Sequence, residues 1–161
     1  MLDSDRRYPA KLRRAAKPGS SSVEVNGVGG HQEIAHRVLV VDDEGAVRRI
    51  TARRLASLGC VVVQACDGLE ALEAVASESP FDLVLTDHSM PGMTGLQLAA
   101  RLRSEQPDLA IVLTTGMSSD LDPAQLVGQP IDDVLVKPYT TSELYQVVNK
   151  VLNLPERTQS A

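Results

Sequence analysis

The chain has 161 residues, 43% of them hydrophobic, with a formal net charge of −5. That is enough for one domain with a sizeable core and a tail, and no apolar run approaches the ~20 residues needed to span a bilayer. The charge is uneven: residues 1–36 hold six Lys/Arg and four acids, whereas the remainder holds ten basic and seventeen acidic residues, a net of −7. An acidic body without a basic stripe argues against direct nucleic-acid binding.

Residues 1–36 include Pro18-Gly19-Ser20-Ser21-Ser22 and Gly27-Val28-Gly29-Gly30 and show little apolar periodicity, so they read as a flexible basic, Gly/Ser-rich tail. The N-terminus carries no hydrophobic signal region, which gives a cytoplasmic expectation. Cys60 and Cys66 lack metal-ligand spacing and read as thiols of a reducing compartment. Aromatic residues are nearly absent, only Tyr8, Phe81, Tyr139 and Tyr145, so the core must be built from Val, Leu, Ile and Ala. That composition suits a parallel sheet covered on both faces.

From Arg37 the pattern alternates. Val38-Leu39-Val40-Val41 reads as a first strand, ended by Asp42-Asp43-Glu44-Gly45. A helix follows with Val47, Ile50, Arg54/Leu55 and Leu58 at near-helical spacing and Arg48, Arg49 and Arg53 outward, stopped by Gly59. Val61-Val62-Val63 is a second strand, and Leu69, Leu72 and Val75 mark a helix that ends before Pro80. Phe81 to Thr86 is a third strand closing at Asp87, and a helix using Leu96, Leu98/Ala99 and Leu102 follows the Met90-Pro91-Gly92 turn. Ala110 to Thr114 is a fourth strand and Val134-Leu135-Val136 a fifth. Between them, Asp122-Pro123 looks like an N-cap and first helical position, but Gly128 and Pro130 leave scarcely two turns of helix. Residues 116–129 are therefore expected to be the element most reordered by any switch. A last helix opens at Thr140-Thr141-Ser142-Glu143, which has capping-box spacing, and runs through Leu144, Val147, Val148 and Val151. Five strands alternating with helices give βαβ units and a parallel α/β sheet with right-handed crossovers.

Open sheets of this kind bind ligands outside the carboxyl ends of their strands. Those ends deliver Asp42 and Asp43, then Asp87, then Thr114 and Thr115, then Lys137 and Pro138. Three carboxylates in one partly buried cleft repel one another unless a cation joins them. Oxygen ligands without His or Cys select a hard ion, and Mg²⁺ is the usual choice beside phosphate. A lysine and a hydroxyl in the same cleft make sense opposite a phosphoryl group, whose transfer needs mainly positioning and charge neutralisation. Taken singly, each feature has a plain reading: Asp42-Asp43-Glu44 as helix-capping acids, Asp87 as a turn residue, Lys137 as a loop lysine, and His88 as a surface loop histidine. Thr114 and Thr115 compete for the hydroxyl of the cleft, and Thr114, still in the strand alternation, is expected to face the core.

Val40-Val41-Asp42-Asp43-Glu44, the run from Asp87 through Met90-Pro91-Gly92-Met93-Thr94-Gly95, Thr115-Gly116 and Lys137-Pro138 together resemble the receiver domains of two-component response regulators, over residues 37–153. The resemblance implies a flavodoxin-like (βα)5 fold with strand order 2-1-3-4-5. It implies that Asp87 accepts a phosphoryl group from a histidine kinase or histidine phosphotransfer protein. Asp42, Asp43, Asp87 and the backbone carbonyl of Ser89 would hold Mg²⁺, Thr115 and Lys137 would contact phosphoryl oxygens, and Lys137-Pro138 would be cis. The domain would promote its own phosphorylation and dephosphorylation without being a dedicated enzyme.

Two departures stand out. The position three before Lys137, often aromatic in the family, is Val134, with Tyr139 the only ring nearby, so the usual aromatic switch is not expected. The short Asp-Pro helix is similar to receivers of hybrid sensor histidine kinases. Residues 154–161 read as a short tail without an output domain, so the expectation is a single-domain receiver, or else an interaction or phosphate-sink module of a hybrid kinase system. An aspartate-nucleophile phosphatase would want an acid where Ser89 stands, and an FMN-binding flavodoxin a Ser/Thr/Gly-rich loop where three acids stand.

Overall fold

The computed structural model describes residues 35–78, 80–116 and 121–154. Five strands, β1 (Arg37–Val41), β2 (Val61–Ala65), β3 (Leu83–Asp87), β4 (Ala110–Gly116) and β5 (Asp133–Lys137), form one sheet in the order β2-β1-β3-β4-β5. All four pairings are parallel. Helices α1 (Gly45–Ser57), α2 (Gly68–Ser77), α3 (Gly95–Glu105) and α4 (Thr141–Leu152) connect or follow them. This is the flavodoxin-like receiver fold expected from the sequence, with strand order 2-1-3-4-5.

The period-2 alternation of the strands divides the core into two layers. Leu39, Val41, Val84, Ile111, Leu113 and Val134 point to one face and pack with Ala71, Ala74 and Val75 of α2 and Leu98, Ala99 and Leu102 of α3. Val38, Val40, Leu83, Leu85, Val112 and Leu135 point to the other and pack with Leu55 of α1 and Leu144 and Val148 of α4. Because both faces are covered, the strands read as continuous apolar runs.

The helix starts carry legible chemistry. Thr140 and Glu143 form the expected capping box, and Thr94 with Gln97 forms another. Asp67 caps α2 through Glu70 N–H. Two further aspartates continue the sheet beyond its strands. Asp82 accepts Arg37 N–H on its carboxylate at 2.8 Å while donating its own N–H to Arg37 O at 2.9 Å. Asp132 does the same with Ile111, at 2.8 Å each way, and its carboxylate also receives Arg103 at 2.7 Å.

Several expectations shift. The stripe of α1 is rotated: Thr51, Ala52 and Leu55 are buried while Ile50 is half exposed, and in α2 Leu69 is exposed and Ala71 and Ala74 are buried. Small residues line these faces because the helices lie close to the sheet, and the large apolar side chains beside them point outward. Arg48 does not simply face outward but donates to the Asp42 carbonyl. β3 starts at Leu83 rather than Phe81, and β4 runs on through Gly116, because β5 pairs with it up to Gly116↔Lys137.

The helix expected after β4 is a single 3-10 turn, Pro123–Leu126. Asp122 caps it as predicted, but Gly128, at φ +84°, turns the chain away at once. Leu126 is fully buried and anchors the turn to the α2/α3 layer. Part of the 116–129 segment, residues 117–120, lies outside the described residues, as do the tails at 1–34 and 155–161.

Candidate functional site

β1 and β3 are neighbours and β5 is separated from β3 by β4 alone, and because all are parallel their last residues meet at one end of the sheet. Asp42 directly follows β1, Asp87 closes β3 and Lys137 closes β5. One carboxylate oxygen from each of Asp42, Asp43 and Asp87 lies within 4.8 Å of the other two. Asp42 and Asp87 are buried and Asp43 is exposed, so the cluster has a dry inner side and a wet outer side.

Each acid is held. Asp42 is oriented at both oxygens: Oδ1 accepts Glu44 N–H at 2.8 Å and Oδ2 accepts Lys137 Nζ at 2.8 Å. The helix-capping reading of Asp42-Asp43-Glu44 does not hold: Glu44, the N-cap of α1, makes no side-chain cap hydrogen bond, and Asp42 accepts the N–H of Glu44 itself rather than one from the first turn. Asp87 Oδ1 lies 3.0 Å from Lys137 Nζ. Behind Asp87 the backbone is crowded, because a Cβ on Gly95 would lie 2.3 Å from the Asp87 carbonyl oxygen, and Gly95 N–H bonds His88 O at 3.0 Å. Only glycine allows α3 to begin that close to the acid.

The electrostatics follow from this crowding. Burial pushes the Asp87 carboxyl above its ordinary range; Lys137 opposes that shift, and Asp42 and Asp43 reinforce it. Burial pulls the Lys137 ammonium down, but hydrogen bonds to Asp42 and Asp87 and their charges outweigh it and hold it above its usual value. Asp42 and Asp87 share one lysine and Asp43 adds a third carboxylate, so the site carries surplus negative charge and its acids offer oxygen ligands only. That set fits a small hard divalent cation.

The remaining candidates fall nearby with differences from expectation. Thr114 is buried as expected, but its hydroxyl is not purely a core group: it lies 3.5 Å from Asp87 Oδ1 and 3.5 Å from Thr86 O. The signal was available in the register, since Thr114 is the partner of Asp87 across the β3–β4 pair. Thr115 is buried at the same strand end, beside Val136, with its hydroxyl 3.5 Å from Gly116 O. Ser89 is exposed in the turn after Asp87. His88 is not a surface histidine: it is half-buried, its Nδ1 is buried without a hydrogen-bond partner among the described residues, and burial lowers its imidazole pKa against the pull of Asp87. The Lys137-Pro138 bond is cis, as the resemblance implied. Val134 lies in the α2/α3 layer, whereas Tyr139 packs in the α1/α4 layer, so the two occupy opposite faces of β5.

Residues 38–149 match the model of the response regulator receiver domain. The chain belongs to that family. Among curated relatives, the receiver is 43% identical over 108 residues to the response regulator MprA of Mycobacterium ulcerans, covering 67% of this chain and 46% of the relative. It is 36% identical over 124 residues to the probable transcriptional regulator ycf27 of Porphyridium aerugineum, covering 77% and 51%. The chain thus spans about half the length of the curated relatives it matches. Among solved structures, the receiver is similar to the response regulator TrrA of Thermotoga maritima in complex with Mg²⁺ and BeF, with 35% identity, TM-score 0.63, and coverage of 72% of this chain and 98% of that one. A receiver domain protein from Clostridium thermocellum gives 28% identity, TM-score 0.68, and coverage of 73% and 94%. No helix among the described residues is long and apolar enough to cross a membrane.

Proposed function

We propose that this receiver accepts a phosphoryl group on Asp87 from a phosphohistidine of a histidine kinase or histidine phosphotransfer protein, and that the phosphoryl group changes what the domain binds. The observation that carries the reading is the placement of the Asp87 carboxylate between two further acids and Lys137 at the carboxyl end of the sheet. In the transfer, an Asp87 carboxylate oxygen attacks phosphorus, the P–N bond to the donor imidazole breaks, and the imidazole leaves with its electron pair. Later attack of water on phosphorus returns the free carboxylate and inorganic phosphate.

Asp42, Asp43 and Asp87, with the Ser89 backbone carbonyl, would hold Mg²⁺, which supplies positive charge to the phosphoryl oxygens. The Mg²⁺–BeF complex of TrrA supports this choice of ion. Lys137 supplies the second counter-charge, and Thr115, at the end of β4, supplies a hydroxyl. Asp87 is well suited as acceptor because burial and acidic neighbours make its carboxylate uncomfortable until charge is neutralised.

The acid excess from Arg37 onward favours protein partners for this domain over direct contact with nucleic acid. In this reading the receiver occupies residues 37–153; the response regulator MprA and the probable transcriptional regulator ycf27 each extend well beyond the part that this chain matches. Incubation with acetyl phosphate and Mg²⁺ should add one acid-stable, base-labile phosphoryl group, absent in Asp87→Asn. Labelling that persists in Asp87→Asn, or none in the native protein, would overturn the assignment.

A further inference from the structure

One contact outside the acid cluster joins the two elements that carry its opposite charges. Thr51, buried on α1, shares a 2.8 Å hydrogen bond between its Oγ1 and the Tyr139 hydroxyl. Arg54, one turn further along α1, donates to the Tyr139 carbonyl at 2.9 Å, with its guanidinium carbon 6.0 Å from the ring centroid. The Tyr139 ring is part of the α1/α4 core layer. Side chain and backbone of one residue are thus both fastened to one helix.

That residue stands two positions after Lys137 and one before Thr140, the cap of α4. At the other end, α1 starts at Gly45, with only its N-cap Glu44 between it and Asp42-Asp43. The lysine and the two acids therefore belong to segments 95 residues apart in sequence for the Lys137–Asp42 pair, and Tyr139 is where the segment of the one is bonded to the helix of the other. A lysine on a four-carbon stem is a mobile charge; its backbone must be fixed for its ammonium to meet a phosphoryl group at a set distance.

We propose that Tyr139, through Thr51 and Arg54, is a positioning residue that sets the reach of Lys137 into the acceptor site. The phosphoryl-transfer part of this inference rests on the function proposed above; the placement of the lysine does not. Removing the phenol hydroxyl leaves the ring and the acids in place but frees the segment after β5, so Lys137 spends less time on Asp42 and Asp87.

The test uses the full chain with Tyr139→Phe, Thr51→Val and the double variant. Removing one hydroxyl strands the other inside the protein, whereas removing both leaves no unpaired group and is close to neutral for stability. Each single variant should slow phosphorylation by acetyl phosphate by about fivefold, with Mg²⁺ affinity unchanged within twofold. The double variant should recover native thermal stability yet stay slow. On a Lys137→Ala background Tyr139→Phe should add no further loss. Independently of phosphorylation, the Lys137 ammonium resonance, protected in the native protein by its carboxylate partners, should broaden or vanish in Tyr139→Phe. A native rate in the variants, recovery of rate along with stability in the double variant, an undiminished loss on the Lys137→Ala background, or an unchanged ammonium resonance would overturn the proposal. A native protein that takes no phosphoryl group would overturn the function reading instead, and the ammonium comparison would still decide the role of Tyr139.

Discussion

Lys137 Nζ sits 2.8 Å from Asp42 Oδ2, so the ammonium already neutralises an acid of the cluster that a divalent cation would use. Lysine and metal compete for the same negative charge. Lys137→Ala should therefore retain Mg²⁺ binding and tighten it, by about tenfold, since a unit charge a few ångströms from the ion is removed. The same variant should lose the response of the domain to phosphorylation, because the phosphoryl group loses a counter-charge. Isothermal titration of Mg²⁺ into both proteins checks the first statement; a weakened affinity in the variant would contradict it.

Asp87 makes the metal-free protein sensitive to pH in a defined direction. Its folded carboxyl is raised above the ordinary value of 3.8, so the folded state holds its proton more tightly than the unfolded state does. Folding stability from this group is thus present at low pH and is lost as pH rises from about the ordinary value through the folded pKa. Asp87→Asn, which cannot ionise, should be more stable than the native protein at neutral pH without metal. The gain should shrink as pH falls below the carboxylate range and should also shrink when Mg²⁺ is added to the native protein. Urea denaturation at several pH values, with and without Mg²⁺, measures this difference.

Gly95 should not tolerate a methyl group. A Cβ there would meet the Asp87 carbonyl oxygen at 2.3 Å and Leu113 Cδ1 at 2.7 Å, and backbone cannot yield as a side chain tip can. Gly95→Ala should cost about 1–3 kcal/mol and should slow phosphorylation more than its stability loss accounts for, because what yields is the backbone of the acceptor. Gly68 offers the comparison: the three nearest atoms that a Cβ there would meet all belong to the Met93 side chain, the closest at 2.7 Å, so Gly68→Ala should leave the phosphorylation rate near the native value.

Asp132 satisfies Ile111 N–H and pairs with Arg103, which also reaches the carbonyls of Pro107 and Leu109. Asp132→Ala leaves a backbone N–H and a half-buried guanidinium without that partner and should cost about 2 kcal/mol. Since this cluster lies at the opposite end of the sheet from Asp87, acetyl phosphate should label the variant at the native rate at temperatures where it is folded. A matched loss of rate would mean that the two ends of the sheet are coupled.

Much of this was legible in the chain because parallel strands buried on both faces must be apolar along their whole length, and their ends must then turn polar. Asp42, Asp87 and Lys137 stand where those runs stop, and the order of the runs brings them together. The stripes of α1 and α2 were harder to read: Ile50 and Leu69 look like core residues, yet the helices seat Thr51, Ala52, Ala71 and Ala74 against the sheet. A residue that is small enough for close approach outcompetes a larger one that is merely hydrophobic. Thr114 illustrates a second limit, since strand alternation says that it is buried but only the register says that it lies beside Asp87. The 3-10 turn at Pro123–Leu126 illustrates a third, because a cap signal followed by Gly128 sets where a helix stops but not which hydrogen-bond spacing the few residues between will adopt.

The aspartates that extend β3 and β5 backward, Asp82 and Asp132, also have a practical meaning. They stitch the amino ends of the strands into a closed floor, so that end of the molecule is a suitable anchorage for laboratory handles. A fluorophore or surface tether placed at exposed Glu105, the last residue of α3, would sit on that floor and leave the acceptor end open to donors and readers.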